Sequence, residues 1–375
     1  MKVPYFVPWI TSRDKKLVNE TLTQRWLTNG PNLQLFEKKI KKFIGTKYAV
    51  GVGNATQALH LTVKSLGIQE NDEVLVPTFT FVATANSVIY SKAKPVLVDV
   101  EQDSFNISLK DIKKKITKKT KAIIVVHYGG QACDMNEIMS FAKKYGLFVI
   151  EDCAHALGSM YENKMCGNIG DAGCFSFYPT KIITTGEGGM ITTNKKNISQ
   201  KTQILKSQGM DIQPTQREKE AKWKYDIVDL GYNYRLDEIR SALGISQMNR
   251  IKEINQRRIK IAKKYNKLLE KIDGITIPKI KSKRNHIFHL YTIKIEKEFP
   301  IDRNELFVRL HKKGIGTSVQ YYPIHMMSYY KKTFHYKKGD FPNSENLMNK
   351  ILCLPIFPTM STKQVKFVVN QIKCQ

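Results

Sequence analysis

The chain has 375 residues, 42% of them hydrophobic and 25% charged, which is too long for one small core and ordinary for a globular protein, so two domains are expected. No stretch approaches the ~18 apolar residues of a membrane helix, and the opening "MKVPYFVPWITSRDKK", interrupted by Pro4 and Pro8, lacks the apolar core of a signal peptide. The formal charge of +28 reads either as a solvated lysine-rich surface or as attraction to anions, but the basic residues are scattered and no zinc-finger or RNA-recognition signature accompanies them.

The first two-thirds of the chain alternates short β-rich runs with helical patterns. "YAVGVG" (48–53) reads as a strand and "ATQALHLTVKSLG" as the helix after it. "DEVLVP", "KPVLVDV", "KAIIVVHY" and "LFVIEDC" read as further strands, separated by the helices "FVATANSVIYS", "SLKDIKKKI" and "MNEIMSFAKKYG". Strands rich in Val and Ile on both faces, joined through helices, predict a mostly parallel sheet covered on both sides. "CFSFY" and "GGMITTN" follow so closely that neighbouring antiparallel or crossover strands are expected. From Leu236, "LDEIRSALGISQMNRIKEINQRRIKIAKKYNKLLEKI" keeps helical periodicity throughout, predicting one helix of about 55 Å that bridges into a second domain. That domain reads as α+β: "HIFHLYTIKI" and "GTSVQYYP" as strands, "DRNELFVRLHKKG" and "STKQVKFVVNQIK" as helices. The boundary is set near residue 245, giving 1–245 as a large α/β unit and 246–375 as the long helix with a small α+β unit.

Six cysteines (Cys133, Cys153, Cys166, Cys174, Cys353 and Cys374) show no C-x-x-C spacing and read as reduced thiols, which fits a cytoplasmic setting. In an open α/β sheet, ligands bind outside the carboxyl ends of the strands. Several polar groups fall at such ends: Asn54, Ala55 and Thr56, then His127, then Glu151 and Asp152, and Lys181 in the turn after "CFSFY". The amides of Ala55 and Thr56 would offer an anion site at a helix start, though a simple helix cap would look the same. An acid such as Asp152 after an apolar strand needs a cation to meet it, whether in a salt bridge or in a ligand. The Gly186 to Gly189 cluster could equally be a tight turn. Lys181, among glycines, Ser176 and an apolar run, would be desolvated and so a usable amine nucleophile. An anion cradle, a strand-end carboxylate and a pocketed lysine together are what pyridoxal phosphate requires.

The stretches "RWLTNGPNLQLFE" (25–37), "NDEVLVPTFTFVATANSVIY" (71–90), "KPVLVDV", "HYGGQACDM" (127–135), "IEDCAHALGSMYENKMCGNIGD" (150–171), "FSFYPTKIITTGEGGM" and "GYNYRLDEIRSALGISQM" (231–248) resemble, in order and over nearly the whole chain, the DegT family of sugar aminotransferases. The resemblance implies the aspartate-aminotransferase fold, pyridoxal-phosphate fold type I. It implies pyridoxal 5'-phosphate as cofactor, with pyridoxamine 5'-phosphate formed between half-reactions. "NATQAL" departs from the family's Ser-Gly-Thr but keeps the small-residue turn, "ND" replaces "GD" at 71–72, and Tyr178 stands where many members have His.

Carried over by position, Lys181 binds the cofactor covalently and shuttles a proton, and Asp152 pairs with the ring nitrogen. His155 lies near the phenolic oxygen, Phe81 stacks on the ring, and Ala55, Thr56 and Ser176 hold the phosphate. Asn233 reaches the phosphate of a partner chain, with Arg235 beside it, which implies a homodimer with shared sites. Tyr5, Asn29, Tyr178, Arg235, Tyr321 and His325 are the expected substrate contacts. One branch of the family has histidine in place of the lysine and dehydrates sugars; Lys181 implies transamination here. The expected reaction moves an amino group from L-glutamate to C4 of a UDP- or dTDP-linked 4-keto-6-deoxyglucose, giving viosamine. The alternatives are an enzyme of the same family acting at C3 of a sugar or on an aminocyclitol, and, in another class, a regulatory or nucleic-acid-binding protein on the same fold. No nucleic-acid or membrane partner and no metal is expected. The lysine-rich composition also resembles that of proteins from AT-rich genomes, giant DNA viruses among them.

Overall fold

The computed structural model describes residues 1–212, 217–218 and 220–375. Seven strands form the main sheet: β1 (Tyr48–Val52), β2 (Glu73–Pro77), β3 (Lys94–Val98), β4 (Thr120–Val126), β5 (Phe148–Asp152), β8 (Ala172–Ser176) and β9 (Gly189–Thr193). β6 (Met160–Tyr161) and β7 (Lys164–Met165) make a separate small hairpin between β5 and β8. The order in the main sheet is β1-β9-β8-β5-β4-β2-β3. β9 pairs antiparallel with both its neighbours and the remaining pairs are parallel, so the other six strands share one direction.

Alternation along the strands divides the apolar residues between two cores. Leu75, Ile123, Val125 and Val149 pack on one face with Phe36, Ile40, Ile138 and Phe141, which the helices Pro31–Ile44 and Met135–Tyr145 bring there. Val74, Val76, Ala122, Ile124 and Ile150 pack on the other with Leu59, Leu61, Val63 and Val88 from the helices Ala55–Ser65 and Ala83–Tyr90. Each such side chain taken fully out of water contributes about 1.5–3 kcal/mol before the entropy of ordering it. A near-continuous Val/Ile pattern in the sequence is therefore the pattern of strands buried on both faces.

A second sheet of three antiparallel strands, β10 (Ile275–Thr276), β11 (Tyr291–Ile295) and β12 (Ile351–Leu354), has its own core. There Ile293, Leu352 and Leu354 meet Ala262, Tyr265, Leu306, Leu310, Val365 and Val369 from three helices (Ile251–Leu269, Arg303–Lys312 and Thr362–Lys373). Among the described residues no helix is long and apolar enough to cross a membrane.

The single long helix expected from Leu236 onward is two helices, Glu238–Met248 and Ile251–Leu269, the second about 28 Å long. Arg250, with φ −114° and ψ 7°, makes the corner. Its guanidinium donates to Asp14 at 2.6 Å and to the Trp9 carbonyl at 3.3 Å, and lies 4.7 Å from the Trp9 ring. Gln247 donates to the same carbonyl. Periodicity runs through the corner unbroken; contacts more than 230 residues away in sequence bend it.

Two expected strands also differ. In "HIFHLYTIKI" only Tyr291–Ile295 is extended in the sheet, because the amides of Ile287 and Leu290 donate to Gly130 and Gly129 of the main-sheet layer instead. "GTSVQYYP" forms only the isolated bridge Ser318–Cys353, which leaves Gln320 and Tyr321 free to face the site described next.

Candidate active site

Because six strands share one direction, their carboxyl ends open along one edge, where a cavity of about 600 Å³ lies between the main sheet and the segment Val319–Tyr321. Asn54, after β1, has extended backbone angles and its side chain accepts the Gln57 amide at 2.9 Å, capping the helix Ala55–Ser65. The amides of Ala55 and Thr56 are the first two of that helix, with no intrahelical carbonyl to accept them, and both residues line the cavity. Gly189 at the start of β9 explains part of the glycine cluster: a Cβ there would stand 2.4 Å from the Asn54 carbonyl oxygen. Only glycine lets β9 pass behind the cradle.

Asp152 ends β5, 5% exposed, and its carboxylate accepts the Thr84 hydroxyl at 2.9 Å and the Ala154 amide at 3.1 Å. Burial pushes its pKa up, and those two donors together with the charge of Lys181 oppose the rise. Lys181 follows β8 in a turn closed by its own amide on the Tyr178 carbonyl. Burial pulls its pKa from 10.5 down to about 8, with Asp152 acting in the opposite sense. The result is an amine whose neutral fraction near neutrality is far above that of an ordinary lysine, beside a carboxylate that has no contact cation among the described residues.

His155 is buried, and burial, then the charge of Lys181, hold its pKa well below the ordinary value, so the ring is neutral. Its Nδ1 accepts the Gly129 amide at 3.3 Å, which leaves the hydrogen on Nε2, 2.9 Å from Tyr321 Oη. Tyr321 thereby links the Val319–Tyr321 segment to the main sheet across the cavity. The His289 ring lies tilted against His155, 4.3 Å between ring centroids.

Of the residues expected from the sequence, Ala55, Thr56, Phe81, Asp152, His155, Ser176, Tyr178, Lys181 and Tyr321 line this one cavity. Phe81 and Tyr178 are 57% and 47% exposed at its mouth. Tyr5 stands behind Gln320, accepting its side-chain amide at 3.1 Å. Asn29 lines a different cavity, of about 380 Å³, with Arg25, Trp26 and Gln34. Asn233 is exposed and Arg235 is bridged to Val52 on the edge of β1. His325 is a correction: its ring is 0% exposed, held between the Thr78 hydroxyl at 2.8 Å and Glu345 at 3.1 Å, so it is packed away from the cavity. His127 and Glu151 likewise satisfy each other, at 2.9 Å, beneath the site. Glu187 of the glycine cluster also lines the cavity, as do Thr84 and Gln320, which the sequence did not mark; a threonine in an apolar helix carries a signal only once it is seen to donate to a buried acid.

The donor set fits pyridoxal phosphate. Unmatched amides at a helix start suit a phosphate, a buried carboxylate with hydrogen bonds but no contact cation suits a protonated ring nitrogen, and a desolvated amine suits covalent attachment to an aldehyde.

The family model described as the DegT/DnrJ/EryC1/StrS aminotransferase family matches residues 8–373. The spore coat polysaccharide biosynthesis protein SpsC of Bacillus subtilis is 39% identical over 374 residues, covering 99% of this chain and 96% of that protein. GDP-perosamine synthase of Escherichia coli O157:H7 is 37% identical over 372 residues, covering 99% and 97%. Among solved structures, Spr1654 of Streptococcus pneumoniae in its PMP form superposes with a TM-score of 0.93 at 27% identity, covering 99% of this chain and 98% of that one, and it is also solved in a PLP form. On a family match of this extent, with sequence relatives and fold in agreement from end to end, the chain belongs to the DegT/DnrJ/EryC1/StrS aminotransferases and is a pyridoxal-phosphate enzyme.

Proposed function

We propose that this enzyme transfers an amino group from L-glutamate to C4 of a nucleotide-linked 4-keto-6-deoxy sugar. The favoured substrate is UDP- or dTDP-4-keto-6-deoxy-D-glucose, which gives the viosamine nucleotide. The observation that carries the reading is that the desolvated amine of Lys181, the buried carboxylate of Asp152 and the unmatched amides of Ala55 and Thr56 line one cavity. When bound, the cofactor supplies an electron sink that stabilises negative charge at the carbon bearing nitrogen. Lys181 holds the cofactor covalently, and its Nζ takes the proton from the α-carbon of the donor and delivers one to the sugar carbon that gains the amine. Asp152 keeps the ring nitrogen positively charged. The amides of Ala55 and Thr56, with the Ser176 hydroxyl, hold the phosphate, Phe81 covers the ring, and His155 lies near the phenolic oxygen.

Tyr178 and Tyr321 are assigned to the sugar. Asn29, Asn233 and Arg235 lie away from this chain's own cavity, so their contacts are assigned to the site of a second copy in a homodimer. The reading puts the enzyme in the cytoplasm, where its six free cysteines stay reduced. A second reading has a specific observation behind it: the likeness to GDP-perosamine synthase favours a GDP-linked sugar with perosamine as product.

The test is incubation with glutamate and a panel of UDP-, dTDP- and GDP-linked 4-keto-6-deoxy sugars, with products weighed by mass spectrometry and the new nitrogen located by proton couplings. An equatorial amine at C4 of the glucose-configured sugar supports the first reading, and an axial one requires the C4 epimer. Turnover confined to the GDP sugar selects the second. Amination at C3 overturns both.

A further inference from the structure

Away from the cavity, Lys206 is 2% exposed on the far side of β1. It follows the helix Lys196–Leu205 and is held at both ends of the residue. Its Nζ donates to the Gly51 carbonyl at 3.1 Å and stands 3.6 Å from Glu37 Oε1, and that same oxygen accepts the Gly51 amide at 2.8 Å. The ion pair therefore occupies both peptide groups of Gly51 on the edge of β1 that faces no other strand. Its own carbonyl accepts the Tyr234 amide at 3.0 Å, and the Tyr234 carbonyl in turn accepts the Gly53 amide at 3.1 Å. Bridges Val52–Arg235 and Ser207–Asn233 flank this circuit.

A cation buried this deeply is costly unless it is paired and hydrogen-bonded, and here Glu37 of the helix Pro31–Ile44 meets the first condition and the Gly51 carbonyl of β1 the second. The closed circuit runs from Gly51 and Gly53, immediately before the Ala55–Thr56 cradle, through Lys206 to Tyr234, immediately after Asn233. Lys206 thus adds a second tie, through its side chain to Gly51 and its carbonyl to Tyr234, beside the direct Gly53–Tyr234 bond between the cradle of this chain's cavity and the segment of the exposed asparagine. Methionine in its place would leave a half-buried Glu37 without its cation and a Gly51 carbonyl without its donor.

We infer that Lys206, through Glu37, is a positioning residue that ties the phosphate cradle of one subunit to the Asn233 arm serving the other, so that the two phosphate sites of a dimer share one joint. The inference rests on the functional reading above for the roles of Ala55, Thr56 and Asn233.

Its test separates phosphate recognition from general stability. Dissociation constants are measured for pyridoxal 5'-phosphate and for pyridoxal, which lacks the phosphate, on the full-length protein and its variants. Lys206→Met should weaken pyridoxal 5'-phosphate roughly tenfold, the scale on which outer partners act in other sites, and leave pyridoxal unchanged. Lys206→Arg should recover most of the loss. Combined with Asn233→Ala, the effect of Lys206→Met should be less than additive, because both act on the same joint. If Lys206→Met does not fold, Glu37→Gln asks the same question and should show the same selectivity. Equal weakening of both ligands, or a lower melting temperature with both constants unchanged, overturns the inference while leaving the functional reading intact. A wild-type protein that binds neither ligand overturns that reading and the inference with it.

Discussion

Replacing Asp152 with asparagine should make Lys181 a more available amine and the enzyme a much poorer catalyst. Two opposing influences set the Lys181 pKa at about 8: burial, which favours the neutral amine, and Asp152, which favours the cation. At pH 7 a pKa of 8 leaves about one amine in ten deprotonated, against about one in three thousand at the ordinary 10.5. The variant keeps the burial and loses the attraction, so the pKa must fall further. A nearby opposite charge shifts a titration by about 1 unit or more, so the neutral fraction of Lys181 at pH 7 should rise severalfold in the variant. Turnover should nevertheless drop about 100-fold or more, because the amide supplies no charge to keep the cofactor's ring nitrogen protonated. The assay is trace acetylation of cofactor-free protein from pH 6 to 10, with the label on the Lys181 peptide quantified by mass spectrometry, alongside steady-state turnover of the loaded enzyme. A labelling midpoint that stays put or moves up would refute the electrostatic argument, and near-wild-type turnover would refute the role given to Asp152.

Borohydride reduction of the loaded enzyme followed by peptide mapping should put the cofactor's mass on the peptide containing Lys181, and Lys181→Ala should carry none; an adduct on another lysine would displace the assignment. Burial holds the pKa values of His155, His286 and His289 below the ordinary 6.5, so on unfolding each takes up a proton that the native state does not bind. Stability should therefore be lost as pH falls below 6.5, by about 1.4 kcal/mol per pH unit for each ring, and urea unfolding of His286→Phe at pH 7 and 5.5 should show a shallower loss than wild type. An unchanged slope would mean that ring is protonated in the native state. Mixing Lys181→Ala subunits with Asn233→Ala subunits should restore part of the activity once exchange is verified, because one hybrid site then has both an intact lysine and an intact arm; no recovery in verified heterodimers would mean that each site is built from one chain.

Much of the site was legible because its residues sit at punctuation marks of the pattern. Asp152 ends an apolar run, Asn54 to Thr56 stand where period two gives way to period 3.6, and Lys181 follows the last strand before the glycines. A polar residue at such a position is expensive in the fold unless something meets it, and the sequence displays that cost directly. His325 misled because its stretch resembles substrate contacts, whereas Thr78, 247 residues away, and Glu345, 20 residues on, satisfy the ring inside the fold. Thr84 and Gln320 went unmarked because their meaning lies wholly in the groups they face.

The sequence by itself determined the alternation of strands and helices, the burial of the sheet on both faces and the small residues of the cradle, since these follow from local periodicity and backbone preference. Tertiary structure alone decided which strand ends are neighbours, that the helical run bends at Arg250 to meet Asp14 and Trp9, and that Lys206 finds Glu37 and Gly51. Those outcomes rest on pairing partners as much as 241 residues apart. Periodicity registers which face a side chain presents, and carries no information about which distant group will be there to satisfy it.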